Sequence, residues 1–228
     1  MSGKASPATL LGVTRAGTAT RVSGRSGREQ VGWSAPVQGV LAGTGSLDGM
    51  GRPTAHPPEI VLETDRLLLR PWRVSEAAIL RELWSERDPR VPPHRRIDAD
   101  GRPTVEDLQA RILAGSHGSA LGLLAAERKG FGDVVGYCGL TENTKVPEGE
   151  PELAFEFLRR FWGQGYATEA AKAVLSWAQA SGCRRLWATV SDWNAASRRV
   201  LAKLEFIETD RVEPGKVHGD VLFTTKQL

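Results

Sequence analysis

The sequence contains little cysteine and no long hydrophobic run, and these two absences exclude several classes of protein. Only Cys138 and Cys183 occur among 228 residues. Because neither belongs to a Cys-x-x-Cys pair, they supply neither a disulfide framework nor a cysteine-rich zinc site. The longest mostly apolar run, residues 120–126, is far shorter than the roughly 20 residues of a membrane-spanning helix. We therefore expect a protein of the reducing cytoplasm with no membrane partner.

Acidic residues are scarce in only one part of the chain. The net charge is +3 and the isoelectric point is near 9.1, values that often accompany nucleic-acid binding. The first 58 residues hold six basic residues but only two acidic ones, Glu29 and Asp48, whereas the remainder has 24 basic and 25 acidic residues. We expect no specific nucleic-acid partner, because the excess positive charge belongs to this N-terminal quarter.

That N-terminal quarter has no sustained helical or strand periodicity. Eleven of the 25 glycines precede residue 59, together with many Ser, Thr and Ala residues, a composition typical of disorder. We expect a disordered Gly/Ser/Arg-rich tail over residues 1–57 and a single domain over residues 58–228. Two alternatives stay open for the tail: an over-extended gene start, because Met50 is the only other methionine, or an Arg- and Ser-rich transit peptide.

From residue 59 the hydrophobic pattern predicts alternating strands and helices. Ser75 is predicted to cap one helix, and the Thr104–Asp107 pair has capping-box spacing for the next. Later helices are expected at 167–180 and 194–203. Strands are expected at 60–62, 66–70, 120–126, 134–140, 152–158, 186–190, 206–211 and 217–225. This mixed order predicts an α+β domain whose sheet is part antiparallel and part parallel.

The turn between strand 152–158 and the long helix is the most specific feature. Residues 159–167 read Arg-Arg-Phe-Trp-Gly-Gln-Gly-Tyr-Ala. Gly163 and Gly165 permit a tight turn whose free N–H groups face an anion at the positive end of the helix, and Arg159 and Arg160 add charge. The segment therefore predicts a phosphate cradle. A Rossmann fingerprint and a Walker A loop are excluded, because position 168 is threonine and no Gly-Lys-Ser/Thr follows.

The same turn resembles the acetyl-CoA signature Arg-x-x-Gly-x-Gly of the GNAT N-acetyltransferases, with Arg160, Gly163 and Gly165 at the three fixed positions. Segments 62–72, 127–140, 162–178 and 194–206 are similar to the RimJ/RimL branch, whose best-known members acetylate N-terminal residues of ribosomal proteins. The resemblance runs from Val61 to the C-terminus. It implies a GNAT fold with a mixed, mostly antiparallel sheet of roughly six to seven strands and about four helices, splayed at an acetyl-CoA cleft.

The resemblance implies an N-acetyltransferase that moves an acetyl group from acetyl-CoA to a primary amine by direct transfer in a ternary complex. The pantetheine arm would pair with the backbone of Phe157 and Leu158, and an N–H near Phe157 would polarise the thioester carbonyl. The pyrophosphate would rest on the amides of the cradle, and an Asn-x-x-Ser motif would reach the pantetheine or the sulfur. The implied cofactor-binding residues are Phe157, Leu158, Arg159, Arg160, Gly163, Gln164, Gly165, Tyr166, Ala167, Asn194 and Ser197.

The proton-transfer groups follow less directly. Glu152 stands where the RimJ/RimL branch commonly has glutamate and is the candidate general base, alone or through water, with Glu156 on the same face as a second candidate. The alternative interpretation is a pair of solvated strand carboxylates. The tyrosine that many GNAT enzymes use to protonate the thiolate is replaced by Leu201, which leaves Ser197 or water as the acid. This departure keeps open a non-catalytic acyl-CoA-binding sensor or partner domain.

The sequence supports five further expectations, on backbone strain, metal binding, the acceptor, the loop beside it and the oligomeric state. Glu205 replaces the glycine of the family's Leu-Gly-Phe, and a positive φ there would cost roughly 1 kcal/mol. The histidines have no metal-ligand spacing, so we expect no metal. The acceptor is a protein N-terminus or a small amine, with an α-amine of pKa about 8 easier to deprotonate than lysine near 10.4. Loop 88–101 is expected beside it, and the chain to be a monomer or homodimer.

Overall fold

The computed structural model describes residues 61–115 and 122–228. The predicted tail over residues 1–57, its Met50 alternative and the first residues of the strand predicted at 120–126 lie outside the described residues. No helix in the described ranges is both long and apolar enough to cross a membrane.

One eight-stranded sheet organises the domain, in the order β1-β2-β3-β4-β5-β6-β8-β7. All neighbouring strands are antiparallel except β5 and β6, which confirms the mixed, mostly antiparallel sheet. Eight strands replace the expected six to seven, and β1 contributes only two residues. The strands are β1 (Leu62–Glu63), β2 (Leu67–Arg70), β3 (Leu123–Arg128), β4 (Val134–Thr141), β5 (Glu152–Phe157), β6 (Arg185–Ser191), β7 (Ile207–Glu213) and β8 (Val221–Gln227).

Four α-helices cover the two faces of the sheet. They are α1 (Ala77–Ser85), α2 (Val105–Gly115), α3 (Tyr166–Ala180) and α4 (Ala195–Lys203). Side chains alternate between the faces of β4. Cys138 joins the main core with the apolar stripe of α3, whereas Tyr137 packs against Leu83 of α1 on the opposite face. The sheet therefore separates the α3 side from the α1 side.

The two predicted helix starts on the α1 side have different outcomes. Thr104 and Asp107 form the predicted capping box: the Thr104 N–H donates to Asp107 Oδ2 at 2.9 Å and the Asp107 N–H donates to Thr104 Oγ1 at 3.2 Å. The prediction that Ser75 caps α1 is wrong. Ser75 lies inside a 3₁₀ turn, Val74–Glu76, because the Glu76 carboxylate accepts the Arg73 N–H at 2.9 Å and starts the turn earlier.

The sheet is splayed between β5 and β6. These parallel strands pair at one position, Glu152 with Trp187, where the Trp187 N–H donates to the Pro151 carbonyl at 3.0 Å. Beyond this pair no further ladder pairing joins the two strands among the described residues. A cleft therefore opens toward the C-terminal ends of β5 and β6, as expected for the GNAT fold.

Candidate active site

The turn that follows β5 forms a row of unpaired backbone donors. A short 3₁₀ turn, Arg159–Phe161, leads to Gly163 and Gly165, whose φ angles are +75° and +85°. These left-handed conformations suit glycine. Within the described part of the chain, the amide N–H groups from Gly163 to Thr168 donate to no protein acceptor. The start of α3 therefore presents six consecutive free amides with the positive end of the helix dipole, an arrangement that fits a phosphate group.

Arg66 of the segment preceding β2 braces this turn. Its Nη1 donates to the Gln164 carbonyl at 3.1 Å, its Nε donates to the Glu169 carboxylate at 2.7 Å, and its guanidinium lies 4.4 Å from the Tyr166 ring centroid. Thr64 Oγ1 also donates to Glu169, at 2.6 Å. Contacts between distant segments therefore hold the turn in shape, a role that the sequence did not reveal.

The two arginines of the cradle are held by α1 and the residue after it. Arg160 Nη1 lies 2.5 Å from Glu82 Oε1. The Arg159 N–H donates to Glu86 Oε2 at 2.7 Å, and Arg159 Nη2 donates to the Glu86 carbonyl at 2.5 Å. Glu82 and Glu86 therefore lie beside the two arginines whose positive charge is predicted to attract a phosphate.

The hydrogen-bonding parity of β5 decides which of its backbone groups face the cleft. The Leu158 N–H donates to the Val135 carbonyl of β4 at 3.0 Å. Because antiparallel pairs alternate, the backbone groups of Phe155 and Phe157 point away from β4 and toward the open side. The Leu158 carbonyl also accepts the Phe161 N–H at 2.9 Å. The Leu158 N–H is therefore already engaged by β4, and the predicted contact of Leu158 with the cofactor stays a prediction.

Trp162 forms a hydrogen bond with one of the backbone groups of β5 that face the cleft. Its indole Nε1 donates to the Phe157 carbonyl at 2.6 Å, while 56% of the residue stays exposed. The ring therefore lies at the rim of the cleft and not in the core. The amide N–H groups of Phe155 and Phe157 are the strand donors that this geometry leaves on the open side.

Glu152 lies at the apex of the splay. Its Oε1 accepts the Thr189 N–H at 2.8 Å and also the Thr189 hydroxyl, and its Oε2 accepts Asn143 Nδ2 at 2.7 Å. The Thr189 amide is the group that would extend the parallel ladder by one step. The Glu152 carboxylate takes that donor instead, so it marks the point at which β5 and β6 separate. The interpretation of Glu152 as a solvated strand carboxylate does not fit these contacts.

Glu156 belongs to a partly buried network on the α1 side of the sheet. Arg87 Nη2 lies 2.5 Å from Glu156 Oε2, and the Tyr137 hydroxyl donates to the same oxygen at 2.7 Å. Burial, followed by the negative charge of Glu156, raises the pKa of Tyr137 well above its usual range. Neither Arg87 nor Tyr137 was predicted as a site residue, because each is far in sequence from Glu156 and belongs to no motif.

Residues 66–207 match the family described as acetyltransferase (GNAT) domain. The chain belongs to the GNAT acetyltransferase family. It is therefore an acyltransferase, and the fold expected from the resemblance is confirmed.

Relatives of this acetyltransferase match about two thirds to three quarters of the chain. The chain is 32% identical over 144 residues to the uncharacterized protein YkkB of Bacillus subtilis, covering 63% of this chain and 83% of YkkB. An acetyltransferase from Bacillus anthracis has a TM-score of 0.60 at 21% identity, covering 74% and 98% of the two chains. RimJ of Mycobacterium smegmatis, solved with CoA-disulfide, has a TM-score of 0.59 at 22% identity, covering 74% and 86%.

In this acetyltransferase, α4 carries the Asn-x-x-Ser motif. Asn194 Oδ1 accepts the Ser197 N–H at 3.1 Å and caps the helix as predicted. The Ser197 hydroxyl makes no hydrogen bond within the described ranges, so it is free to meet a ligand. Leu201 is 3% exposed and belongs to the main core. No proton donor therefore stands at the position where many GNAT enzymes have tyrosine.

The acetyltransferase's two cysteines lie outside the cleft chemistry. Cys138 is fully buried in β4, and burial raises the pKa of its thiol far above the usual range. Cys183 follows α3; its thiol donates to the Arg185 carbonyl at 3.3 Å, and burial raises its pKa as well. Both groups are therefore poor nucleophiles, because the reactive form of cysteine is the thiolate.

Three loops meet beyond the C-terminal end of β6. The guanidinium of Arg90, in the predicted acceptor-side loop, lies 4.2 Å from the ring centroid of Trp193. Trp193 Nε1 donates to the His218 carbonyl at 2.8 Å, and His218 Nδ1 lies 3.0 Å from the Arg90 carbonyl. The loop after α1 is therefore tied to the segments before α4 and before β8.

Proposed function

We propose that this acetyltransferase moves the acetyl group of acetyl-CoA to a primary amine directly, within a ternary complex, as a member of the RimJ/RimL-like branch. The acceptor is a protein N-terminal α-amine or the amine of a small molecule. The observation that carries the proposal is the row of six free amides at the start of α3, continuous with the open edge of β5.

The backbone of the cleft supports binding of the cofactor. The amides from Gly163 to Thr168 would hold the pyrophosphate, assisted by Arg159 and Arg160. The N–H groups of Phe155 and Phe157 would hold the pantetheine arm, and an amide of this strand would stabilise negative charge on the thioester oxygen. Acetyl-CoA would supply the activated acetyl group, and these donors would hold it against β5.

The chemistry of the cysteines favours direct transfer. An acyl-enzyme route needs an activated nucleophile in the cleft. Cys138 is buried in the sheet and Cys183 bonds a carbonyl at the far end of α3, so neither serves that route. The amine nitrogen then attacks the thioester carbonyl, a C–N bond forms, and the C–S bond breaks.

Glu152 and Ser197 would carry out the two proton transfers, one from the amine and one to the leaving thiolate. Glu152, at the apex of the cleft, accepts the amine proton directly or orders a water that does so. Its two oxygens already accept from Thr189 and Asn143, which favours the water-mediated form. The free Ser197 hydroxyl, or a water, returns a proton to the leaving thiolate.

A second function is favoured by the buried Leu201 and by the engagement of Glu152. A domain with a cofactor cleft but a weak proton-transfer set would bind acyl-CoA as a sensor or partner without turnover. The two functions share the cofactor and differ only in whether an acetylated amine appears.

The test is incubation with acetyl-CoA and a panel of peptides, polyamines and aminoglycosides, followed by mass spectrometry of the amines and a thiol assay for CoA. We expect equimolar acetylated amine and CoA with at least one acceptor class. Binding of acetyl-CoA without any acetylated amine would establish the sensor function, and absence of binding would refute both.

A further inference from the structure

Two cavities open on the α1 side of the sheet, and Trp84 and Arg111 border both. The sheet-side cavity lies between α1, α2 and strands β3 and β4, with a volume of about 280 Å³. The loop-side cavity lies beside residues 93–103, with a volume of about 350 Å³. Ligand sites span roughly 300–1,000 Å³, so these cavities suit a small molecule or the end of one side chain.

The sheet-side cavity has apolar walls and a cationic border. Its walls include Leu80, Leu123 and the ring of Tyr137, and its border includes Arg95 and Arg111. A ligand with an apolar body and one negatively charged end would bury the body against the leucines and leave the charge with the arginines.

Four of the arginines around these cavities form no salt bridge with a described residue. The described carboxylates that form ion pairs with arginines engage other arginines instead. One of these is Arg87, which borders the sheet-side cavity and pairs with Glu156 of β5. The Nε of Arg96 is buried without a hydrogen-bond partner. The four residues are Arg95, Arg96, Arg102 and Arg111.

The acidic residues that border the loop-side cavity, Asp98 and Asp107, form no ion pair with these four arginines and bind backbone donors instead. Asp98 Oδ1 accepts the N–H groups of Asp100 and Arg102 at 3.0 and 2.8 Å. Asp107 Oδ2 accepts the Thr104 N–H at 2.9 Å. Each carboxylate therefore has a local structural task in the loop or at the start of α2.

Trp84 fixes the position of the guanidinium groups. Arg87 lies 4.2 Å and Arg111 5.4 Å from its ring centroid. Stacking on an aromatic face leaves the N–H edge of a guanidinium free for bidentate contact with a carboxylate or phosphate. Arg87 uses its edge on Glu156, and Arg111 keeps its edge free.

Arg87 and Tyr137 connect the sheet-side cavity to the cleft strand. Both border the cavity, and both bind the carboxylate of Glu156 on β5. The cavity is therefore next to the strand along which the acetyl group is expected to lie.

We infer that the sheet-side cavity binds an anionic group of the acceptor, a carboxylate or a phosphate carried on an apolar body, through Arg95 and Arg111. This inference rests on the proposed function in assigning the anion to the acceptor. It narrows the substrate class to amines that carry a negative charge at a distance from the reacting nitrogen.

The first experiment measures binding alone, so that it does not depend on turnover. The full chain is titrated calorimetrically with 4-methylbenzoate, 4-methylbenzamide and 4-methylphenylphosphonate. We expect the two anions to bind and the amide to bind at least about tenfold more weakly, the effect of a hydrogen bond to a charged group. Comparison of the benzoate with the phosphonate distinguishes a carboxylate ligand from a phosphate ligand.

Variants then locate the site. Arg95→Gln and Arg111→Gln should each raise the Kd of the preferred anion about tenfold, and Arg111→Lys, which retains the charge, should restore part of the affinity. Arg199→Gln is the matched control, because Arg199 is an exposed residue of α4, and it should leave the Kd unchanged. Equal binding of benzoate and benzamide, or equal effects of Arg111→Gln and Arg199→Gln, would overturn the inference.

Turnover separates this inference from the proposed function. With acetyl-CoA present, 4-(aminomethyl)benzoate should give a kcat/KM at least about tenfold above that of 4-(aminomethyl)benzamide, and Arg111→Gln should remove the difference. Arginine-dependent binding without acetylation would uphold the anion site and count against the proposed function. Acetylation of both amines at equal rates would uphold the function and refute the anionic acceptor.

Discussion

Arg160 Nη1 lies 2.5 Å from Glu82 Oε1, so the arginine of the cradle signature is paired with an acid of α1. A pyrophosphate bound at the start of α3 would compete with Glu82 for this guanidinium. Both side chains are about half exposed, 51% and 42%, so solvent and salt weaken the pair. Glu82 is therefore expected to lower the affinity for the cofactor by a small amount.

Glu82→Gln is expected to lower the Kd for acetyl-CoA about two- to fivefold at low ionic strength, with the gain shrinking as salt is added. Calorimetric titration over a series of salt concentrations measures this effect. Glu148→Gln is the matched control, because Glu148 is exposed in a loop and its substitution removes the same charge. A higher Kd for Glu82→Gln would instead show that Glu82 positions Arg160 for the ligand.

Glu152→Gln tests the base at the apex of the cleft. We expect kcat to fall about a hundredfold or more, the usual contribution of general acid–base catalysis, while the Kd for acetyl-CoA stays near that of the wild type. These quantities come from steady-state CoA release and from calorimetry.

Thr189→Val separates catalysis by Glu152 from its structural role. The substitution removes the hydroxyl donor to Glu152 and keeps the backbone N–H donor. Its loss of kcat should be smaller than that of Glu152→Gln. If Glu152→Gln lost acetyl-CoA affinity and kcat together, Glu152 would be a residue that shapes the splay and not a base.

Glu76 gives a prediction for acid stability. Burial raises the pKa of its carboxyl, but hydrogen bonds from Arg70 and from the Arg73 backbone outweigh burial, so the pKa lies below its usual value. The stabilisation is therefore complete above the unfolded-state pKa of about 4.3 and is lost as pH falls through the folded-state pKa. Glu76→Gln should lower the free energy of unfolding by about 2–4 kcal/mol at pH 7.

Urea denaturation of the Glu76→Gln variant and the wild type at pH 7 and below pH 4 measures this dependence. The difference between the two proteins should narrow at the lower pH, whereas Glu148→Gln should track the wild type at both. A gap that stays constant over this range would contradict the assignment of the stabilisation to the ionised carboxylate.

The expected strain at Glu205 is present. Its φ is +62°, and Glu205 is the only non-glycine residue with positive φ in the described ranges. Glu205→Gly should raise Tm by about 2–4 °C, the shift that relief of a left-handed side chain produces in a domain of this size. Glu205→Ala retains the strain and loses the same contact with Lys226, so an equal Tm for the two variants would argue against strain.

Features that depend only on short segments of the chain were predictable from the sequence. Alternating and helical periodicity located the strands and helices to within a few residues, and the glycines of the cradle have the positive φ that their turn requires. The Thr104–Asp107 box and the Asn194 cap are likewise local, since each side chain bonds a backbone group three residues away. Such contacts depend on spacing alone.

Features that depend on tertiary packing were not predictable. Glu156 contacts both Arg87, which lies 69 positions earlier in the chain, and Tyr137, and nothing in the spacing of these residues indicates the contacts. The engagement of the Leu158 N–H was not predictable either, because only the register with β4 decides which amides of β5 are already bonded. The displacement of the Ser75 cap arises from Glu76, whose carboxylate accepts the Arg73 N–H and is also paired with Arg70 of β2, a contact that spacing does not indicate.

The central claim, that the turn before α3 is the cofactor cradle, is tested most directly by calorimetric titration of acetyl-CoA onto the wild type and Gly165→Ala. Gly165 has φ +85°, and an added Cβ would lie 3.4 Å from Arg66 Nη2. We predict one-to-one binding to the wild type, about tenfold weaker binding to Gly165→Ala from the strain of a left-handed alanine, and unchanged binding to Gly130→Ala, which carries the same strain at φ +78° in the β3–β4 turn. Equal affinities of Gly165→Ala and Gly130→Ala, or no binding to the wild type, would contradict it.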